Sequence, residues 1–381
     1  MTHCGLENIP ACDRALKGKR LGLITSVSGV DARLESGIEL LHRRYGLTAL
    51  FGPEHGRRGE AGAGETVDSS RDPVTGLPVY SLYGRDSRRM PPEALEHLDA
   101  VVYDMKDLGV RYYTFIATLL GAVEDCAAAG KELIVLDRPD PLGGVAVEGG
   151  VLQPQYASFV GPWQLPVRYG LTAGELAGMY NQREHKGCRL TVVPLEGWRR
   201  EMLWPDTGRL FMPPSLGIPR FETALVYPGT CLVEGTNLSE GRGTSSPFEV
   251  VGAPWVDARR LTDELRRREL PGVLFTPAWF TPSASKHAGE ACQGVRLHVA
   301  DAHTFRPVRT GLELLDAVRT LWPEQFALLP PPKEGGRPFI SLLAGCGDLQ
   351  DPHWDKDALL ERFERESEAF AREKTAYHLY E

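Results

Sequence analysis

Residues 100 to 137, AVVYDMKDLGVRYYTFIATLLGAVEDCAAAGKELIVLD, decide the fold. Two short apolar runs, AVVYD (100–104) and ELIVLD (132–137), flank a helical pattern, TFIATLLGAVEDCAAAG (114–130), that Gly130 closes at the C′ position. Strands that are apolar throughout, rather than alternating, belong to sheets covered on both faces, and helices between them make those sheets parallel.

The same alternation extends in both directions. Upstream lie strands RLGLIT (20–25), LTALF (47–51) and LPVYSLY (77–83), with helices over 36–46 and 91–99. Downstream, Thr172 and Glu175 form a capping box that opens a helix in YGLTAGELAGMYN, and RLTVVPL (189–195) follows as a strand. The fold class predicted is α/β, with a doubly wound, mainly parallel sheet. Near residue 225 the pattern changes. GTNLSEGRGTSSPFEVVGAP (235–254) reads as a long polar connection. Helices over 257–270 and 305–321, an alternating strand GVRLHVAD (294–301) and a C-terminal helix docked by Leu359, Leu360, Phe363 and Phe370 follow it. Two domains are expected, 1–224 and a smaller α+β domain over 225–381.

Composition excludes several function classes. A net charge of −8 and a pI near 5.8 argue against nucleic-acid binding. No apolar run reaches the roughly 18 to 20 residues that span a bilayer, so membrane insertion is not expected. The first residues lack the basic start, apolar stretch and small-residue site of a signal peptide, which predicts a cytoplasmic protein. Seven widely spaced cysteines without a C-x-x-C pair read as reduced thiols, not as a zinc site or a disulfide framework.

In doubly wound sheets, ligands bind outside the carboxyl ends of the strands. Those ends carry Thr25, Ser26 and Ser28; Glu54, His55 and Arg58; Asp104, followed by Lys106, Asp107 and Arg111; and Asp137, Arg138 and Asp140. This convergence predicts a site. GEAGAGE (59–65) lacks the G-x-G-x-x-G spacing of a dinucleotide loop, and neither a Walker pattern nor a G-x-S-x-G elbow occurs. Asp104 and Asp137 could hold Mg²⁺; alternatively each caps a helix or pairs with Arg111 or Arg138. Paired carboxylates would support glycoside cleavage, which needs a proton donor and a second group opposite it. Glu54, beside Pro53 and Phe51, is the best acid candidate. Glu148, in the apolar run VAVEGGVL, Glu240 in SEGRG and Glu234 in LVEGTN are further carboxylates.

The motifs LFGPEHGRRG, DLGVRYYTF, VLDRPDPLGG, VEGGVL, YGLTAGELA, YPGTCLVEGTNLSEGRGT and FTPSASKHAGEACQGVRLHV occur in this order. From about residue 15 to the C-terminus the chain resembles the NamZ-type exo-β-N-acetylmuramidase family, formerly a domain of unknown function. The resemblance implies a Rossmann-like catalytic domain, a smaller C-terminal domain and a cleft between them. It implies release of N-acetylmuramic acid from the non-reducing ends of peptidoglycan fragments, with no cofactor. Glu54 in GPEHG is the implied catalytic residue, with His55 and Arg58 shaping its surroundings; Arg57 is not required. Glu148 is taken as the second group on position.

The lactyl carboxylate of the sugar calls for cations. Arg58, Arg111, Arg138, Arg242 and Lys286 are available, with Asp104, Asp137 and Glu240 as further binding residues. Competing structural roles exist for Arg138 (pairing with Asp137 or Asp104), Lys286 (an exposed loop) and Arg242 (shaping the connection). Three positions depart from the family pattern: Lys106, where Gln is common, Tyr169, where His is usual, and Gly217, where an Asn is usual. The expected partners are peptidoglycan-derived disaccharides or muropeptides, and a role in recycling imported fragments suits a cytoplasmic chain. A non-catalytic sugar- or muropeptide-binding protein and a metal-dependent hydrolase using Asp104 and Asp137 are the alternatives.

Overall fold

The computed structural model describes residues 1–53, 70–83, 88–331 and 333–381. Glu54, His55, Arg57, Arg58 and the glycine run at 59–65 therefore lie outside the described residues.

Among these, seven strands form one sheet: β1 (Leu21–Thr25), β2 (Leu47–Gly52), β3 (Ser70–Arg71), β4 (Pro78–Ser81), β5 (Ala100–Asp104), β6 (Glu132–Leu136) and β7 (Arg189–Val193). Their order is β3-β4-β2-β1-β5-β6-β7, and every pairing is parallel except the short β3–β4 edge. Five runs read as strands from the sequence thus fall side by side as β2-β1-β5-β6-β7, and 77–83 supplies β4. The burial pattern explains why these strands are apolar on both faces. Val101 and Tyr103 of β5, with Leu133 and Val135 of β6, pack into one core. Ala100 and Val102, with Ile134 and Leu136, pack into a second core on the opposite face. A polar residue at any of these positions would meet apolar atoms whichever way it pointed.

The helices start and stop where the chemistry dictates. Thr172 accepts the Glu175 N–H while the Glu175 carboxylate accepts the Thr172 N–H, so the predicted capping box opens Ala173–Arg183. Gly130 follows Phe115–Ala128 at φ 65°, the left-handed geometry a helix end needs.

A second sheet joins β8 (Val250–Ala253), β9 (Val273–Phe280) and β10 (Cys292–Val299) in the antiparallel order β8-β10-β9. Two elements depart from the sequence reading. The stretch 235–254 is not connection throughout, because its last residues form β8. Phe221–Thr230 is a helix despite Pro228 inside it. That helix packs against Pro307–Leu321, where Gly229 and Gly311 face each other so closely that a Cβ on Gly311 would lie 2.4 Å from the Gly229 carbonyl oxygen. Leu359, Phe363 and Phe370 of Lys356–Glu373 are buried, as the docked C-terminal helix requires, and Leu360 packs beside them.

Candidate active site

A cavity of about 740 Å³ opens at the carboxyl-end side of the parallel sheet. Gly52, the last residue of β2, accepts the Leu82 N–H at 2.8 Å, and the next residue, Tyr83, lines the cavity with Arg88. The segment after β5 adds Tyr112, Tyr113 and Thr114, and Phe159 comes from the loop that follows β6. The opposite wall is built from beyond residue 225 and contributes Tyr227, Glu234, Glu240, Arg242, Phe248 and Lys286.

The charges on that wall are fixed by one another. Arg242 Nε lies 2.8 Å from Glu234 and 3.6 Å from Glu240, and Lys286 Nζ lies 2.9 Å from Glu240. Lys286 also donates to the carbonyls of Val233 and Thr236 at 2.8 and 2.9 Å, so its ammonium has little freedom. Glu234 and Glu240 together hold the Arg242 guanidinium in its charged form despite its burial. The Glu240 side chain is 2% exposed, the Lys286 side chain 19%. Lys286 is therefore not a free surface lysine, and Arg242 ties two cavity carboxylates together.

Backbone conformation brings these two loops into contact. Ser285 and His287, on either side of Lys286, have φ of 67° and 58°, and Phe248 has φ of 62°. Non-glycine residues rarely hold this geometry, and it concentrates at functional sites where the surroundings enforce it. Gly243 sits against the SASKH loop: Ser283 donates its N–H and hydroxyl to the Gly243 carbonyl at 2.9 and 2.7 Å. A Cβ on Gly243 would lie 2.4 Å from the Ala284 nitrogen. Only glycine permits this approach.

The residues at the ends of β5 and β6 behave differently. Arg138 forms a bidentate pair with Asp104 at 2.6 and 3.0 Å and donates to the Val30 carbonyl at 2.9 Å. Asp137 accepts from Thr172 and Tyr380 hydroxyls and from the Gly174 and Arg138 N–H groups, and burial raises its pKa to about 6. Arg111, fully buried, donates to the carbonyls of Gly150, Leu165 and Leu343 at 2.6 to 2.8 Å; burial lowers its pKa to about 10. None of these four lines the cavity. The reading of Asp104, Arg111, Asp137 and Arg138 as substrate ligands is corrected accordingly: each is committed to internal partners. Among the described residues, no group of three or more His, Cys, Asp or Glu side chains is placed to hold a metal ion.

Glu148 lies elsewhere too. It sits in a separate cavity beside Lys356–Glu373, where its Oε1 accepts the Arg309 N–H at 2.9 Å in the first turn of Pro307–Leu321. Burial raises its pKa to about 7, and its Oε2 has no hydrogen-bond partner. It caps a helix and does not line the cavity of about 740 Å³, whose carboxylates among the described residues are Glu234 and Glu240.

Of the three departures from the family pattern, Gly217 alone lines the cavity, beside Arg242. Tyr169 is buried and donates its hydroxyl to Asp107. Lys106 is buried under Trp204 and Phe211, donates to the Met212 carbonyl, and burial lowers its pKa well below that of a surface lysine. The aromatic lining (Tyr83, Tyr112, Tyr113, Phe159, Tyr227, Phe248) and Arg88 escaped the sequence reading. The aromatic density of DLGVRYYTF was the signal available for part of it.

Comparison with known proteins settles the ancestry. The N-terminal model of exo-β-N-acetylmuramidase NamZ matches residues 21–222, and its C-terminal model matches residues 225–380. The chain belongs to this family. It is 42% identical over 377 residues to the peptidoglycan β-N-acetylmuramidase NamZ of Bacillus subtilis (strain 168), covering 98% of this chain and 89% of that protein. Among solved structures, a DUF1343 family protein from Bacteroides fragilis superposes with a TM-score of 0.90 at 36% identity, covering 100% of this chain and 99% of that one. A second such protein from the same organism gives 0.79 at 26%, with the same coverage. The Rossmann-like α/β fold with a smaller antiparallel sheet is the fold of that family.

Proposed function

We infer that this chain is an exo-acting glycoside hydrolase that releases N-acetylmuramic acid from the non-reducing ends of peptidoglycan fragments. The observation that carries the reading is the cavity itself. Among the described residues it gathers two carboxylates, three cations and an aromatic lining near the carboxyl end of β2. Glycoside cleavage needs one group that protonates the leaving oxygen and another that attacks, activates water or stabilises the oxocarbenium ion. Glu54 is assigned as the proton donor. Glu240, held by Lys286 and Arg242 and buried against the wall, is assigned as the second carboxylate, with Glu234 orienting Arg242. The aromatic rings supply apolar surface for sugar faces.

Peptidoglycan-derived disaccharides and muropeptides are the proposed substrates. The proposed compartment is the cytoplasm, with a role in recycling imported fragments; seven buried, unpaired cysteines support a reducing environment. No helix among the described residues is long and apolar enough to cross a membrane. The proposed division near residue 225 sets the sheet-bearing part against the part that supplies Glu234, Glu240, Arg242 and Lys286; the two family models meet there.

The test is turnover of chromogenic N-acetylmuramic acid and N-acetylglucosamine glycosides, with and without chelator. The expected result is hydrolysis of the muramic acid glycoside, insensitive to chelator and reduced on the order of a hundredfold to ten-thousandfold in Glu54→Gln. Chelator-sensitive turnover would point to a metal-dependent hydrolase. Binding without turnover would identify a sugar-binding protein.

A further inference from the structure

The cavity holds three described cations, and two of them are already neutralised. Arg242 is paired with Glu234 and Glu240, and Lys286 with Glu240. Arg88 is different. It lines the same cavity, and among the described residues it makes no ion pair with a carboxylate. Its guanidinium instead lies 3.8 Å from the ring centroid of Phe159 and 5.1 Å from that of Tyr83, two rings whose centroids are 5.4 Å apart. Stacking on aromatic faces fixes the plane of a guanidinium while leaving its edge N–H groups free to donate. Counting the described groups, the cavity carries Arg88, Arg242 and Lys286 against Glu234 and Glu240, so its surplus charge is the one on Arg88.

We propose that Arg88, held on the Phe159–Tyr83 pair, binds the lactyl carboxylate and makes the enzyme choose N-acetylmuramic acid over N-acetylglucosamine. The proposal rests on the glycosidase reading and deepens it by naming the specificity residue. The two sugars differ in this one substituent, a 3-O-lactyl ether that carries a negative charge. A buried neutral pocket would favour the uncharged sugar; a lone arginine with its edge exposed reverses that preference. A bidentate carboxylate contact is one that lysine cannot reproduce. Arg88 is exposed, so replacing it does not threaten the core.

The experiment compares wild type, Arg88→Gln and Arg88→Lys on three chromogenic glycosides: N-acetylmuramic acid, its lactyl amide and N-acetylglucosamine. In Arg88→Gln, KM for the first should rise about tenfold to a hundredfold with kcat little changed. Arg88→Lys should recover only part of the loss. The amide should be turned over equally by wild type and Arg88→Gln, and N-acetylglucosamine turnover should not change. Calorimetric titration with free N-acetylmuramic acid and N-acetylglucosamine gives the same comparison without catalysis. An Arg88→Gln protein that keeps the wild-type preference in kinetics or in binding overturns the proposal. Failure of the wild type to hydrolyse any glycoside overturns the glycosidase reading, and the titration then still decides Arg88.

Discussion

Two clusters of charge lie at the carboxyl-end side of this molecule, and both are built from carboxylates and cations. In one, Asp104, Arg138 and Asp137 close on themselves and on Thr172, Tyr380 and backbone groups. In the other, Glu234, Glu240, Arg242 and Lys286 also pair, but at the wall of an open cavity lined with aromatic rings. The difference teaches that a charged residue at a strand end is evidence for a site only when some of its surroundings are empty. The first cluster stitches the fold together. Tyr380 reaches Asp137 beside β6, so residue 380 is tied to the carboxyl end of that strand.

The largest expected effect separates the two clusters directly. Glu240→Gln should lower kcat on the order of a hundredfold or more and cost less stability than the change at Asp104, because Arg242 keeps Glu234 and Lys286 keeps two carbonyl partners. Asp104→Asn should do the reverse. It strands the buried Arg138 charge and should lower stability by about 3–5 kcal/mol, seen in urea unfolding, while kcat of the folded fraction stays within a factor of about two. If Asp104→Asn instead abolishes turnover at unchanged stability, the distinction between the clusters collapses.

A smaller effect concerns Asp140, a third buried acid near β6. Burial, reinforced by Asp107 and opposed by Arg168 and Lys374, lifts its pKa to about 7. The folded state therefore holds the Asp140 proton more tightly than the unfolded chain. This contribution is full below the unfolded carboxylate pKa near 4 and is lost as pH rises to about 7. Asp140→Asn should keep the bond from the Leu142 N–H, which Asp140 now accepts at 2.9 Å. It should stabilise the protein at pH 8 by about 1–3 kcal/mol, leave it unchanged near pH 4, and flatten the intervening slope in urea titrations.

The smallest effects concern the departures from the family pattern. Gly217→Asn places a Cβ 3.0 Å from Arg242 and should shift KM several-fold, about 1 kcal/mol, because it narrows the cavity. Lys106→Gln, remote from the cavity lining, should leave KM unchanged. Equal effects of the two substitutions on KM would show that Lys106 also reaches the substrate.

The sheet was legible because its strands are buried on both faces, which leaves an unmistakable apolar run such as ELIVL. β8 was missed because four residues, VVGA, sit inside a glycine-rich polar stretch. Phe221–Thr230 was missed because Pro228 reads as a helix breaker. Glu234, Glu240, Arg242 and Lys286 were visible as candidates, although Glu148, Arg111 and Arg138 looked equally good. Arg88 and Phe159 carried no signal, since they lie 71 residues apart by numbering and stack on each other only in the folded chain.

The sequence by itself determined the parallel α/β sheet, the capping box at Thr172 and Glu175, and membership of a family through its ordered motifs. These depend on periodicity, local backbone chemistry and inheritance, all written along the chain. Which charges face substrate and which face one another was decided by tertiary structure alone. Pairing energy depends on distance and solvent exposure, and residues such as Asp104 and Arg138, or Lys286 and Glu240, acquire both only when remote segments pack together.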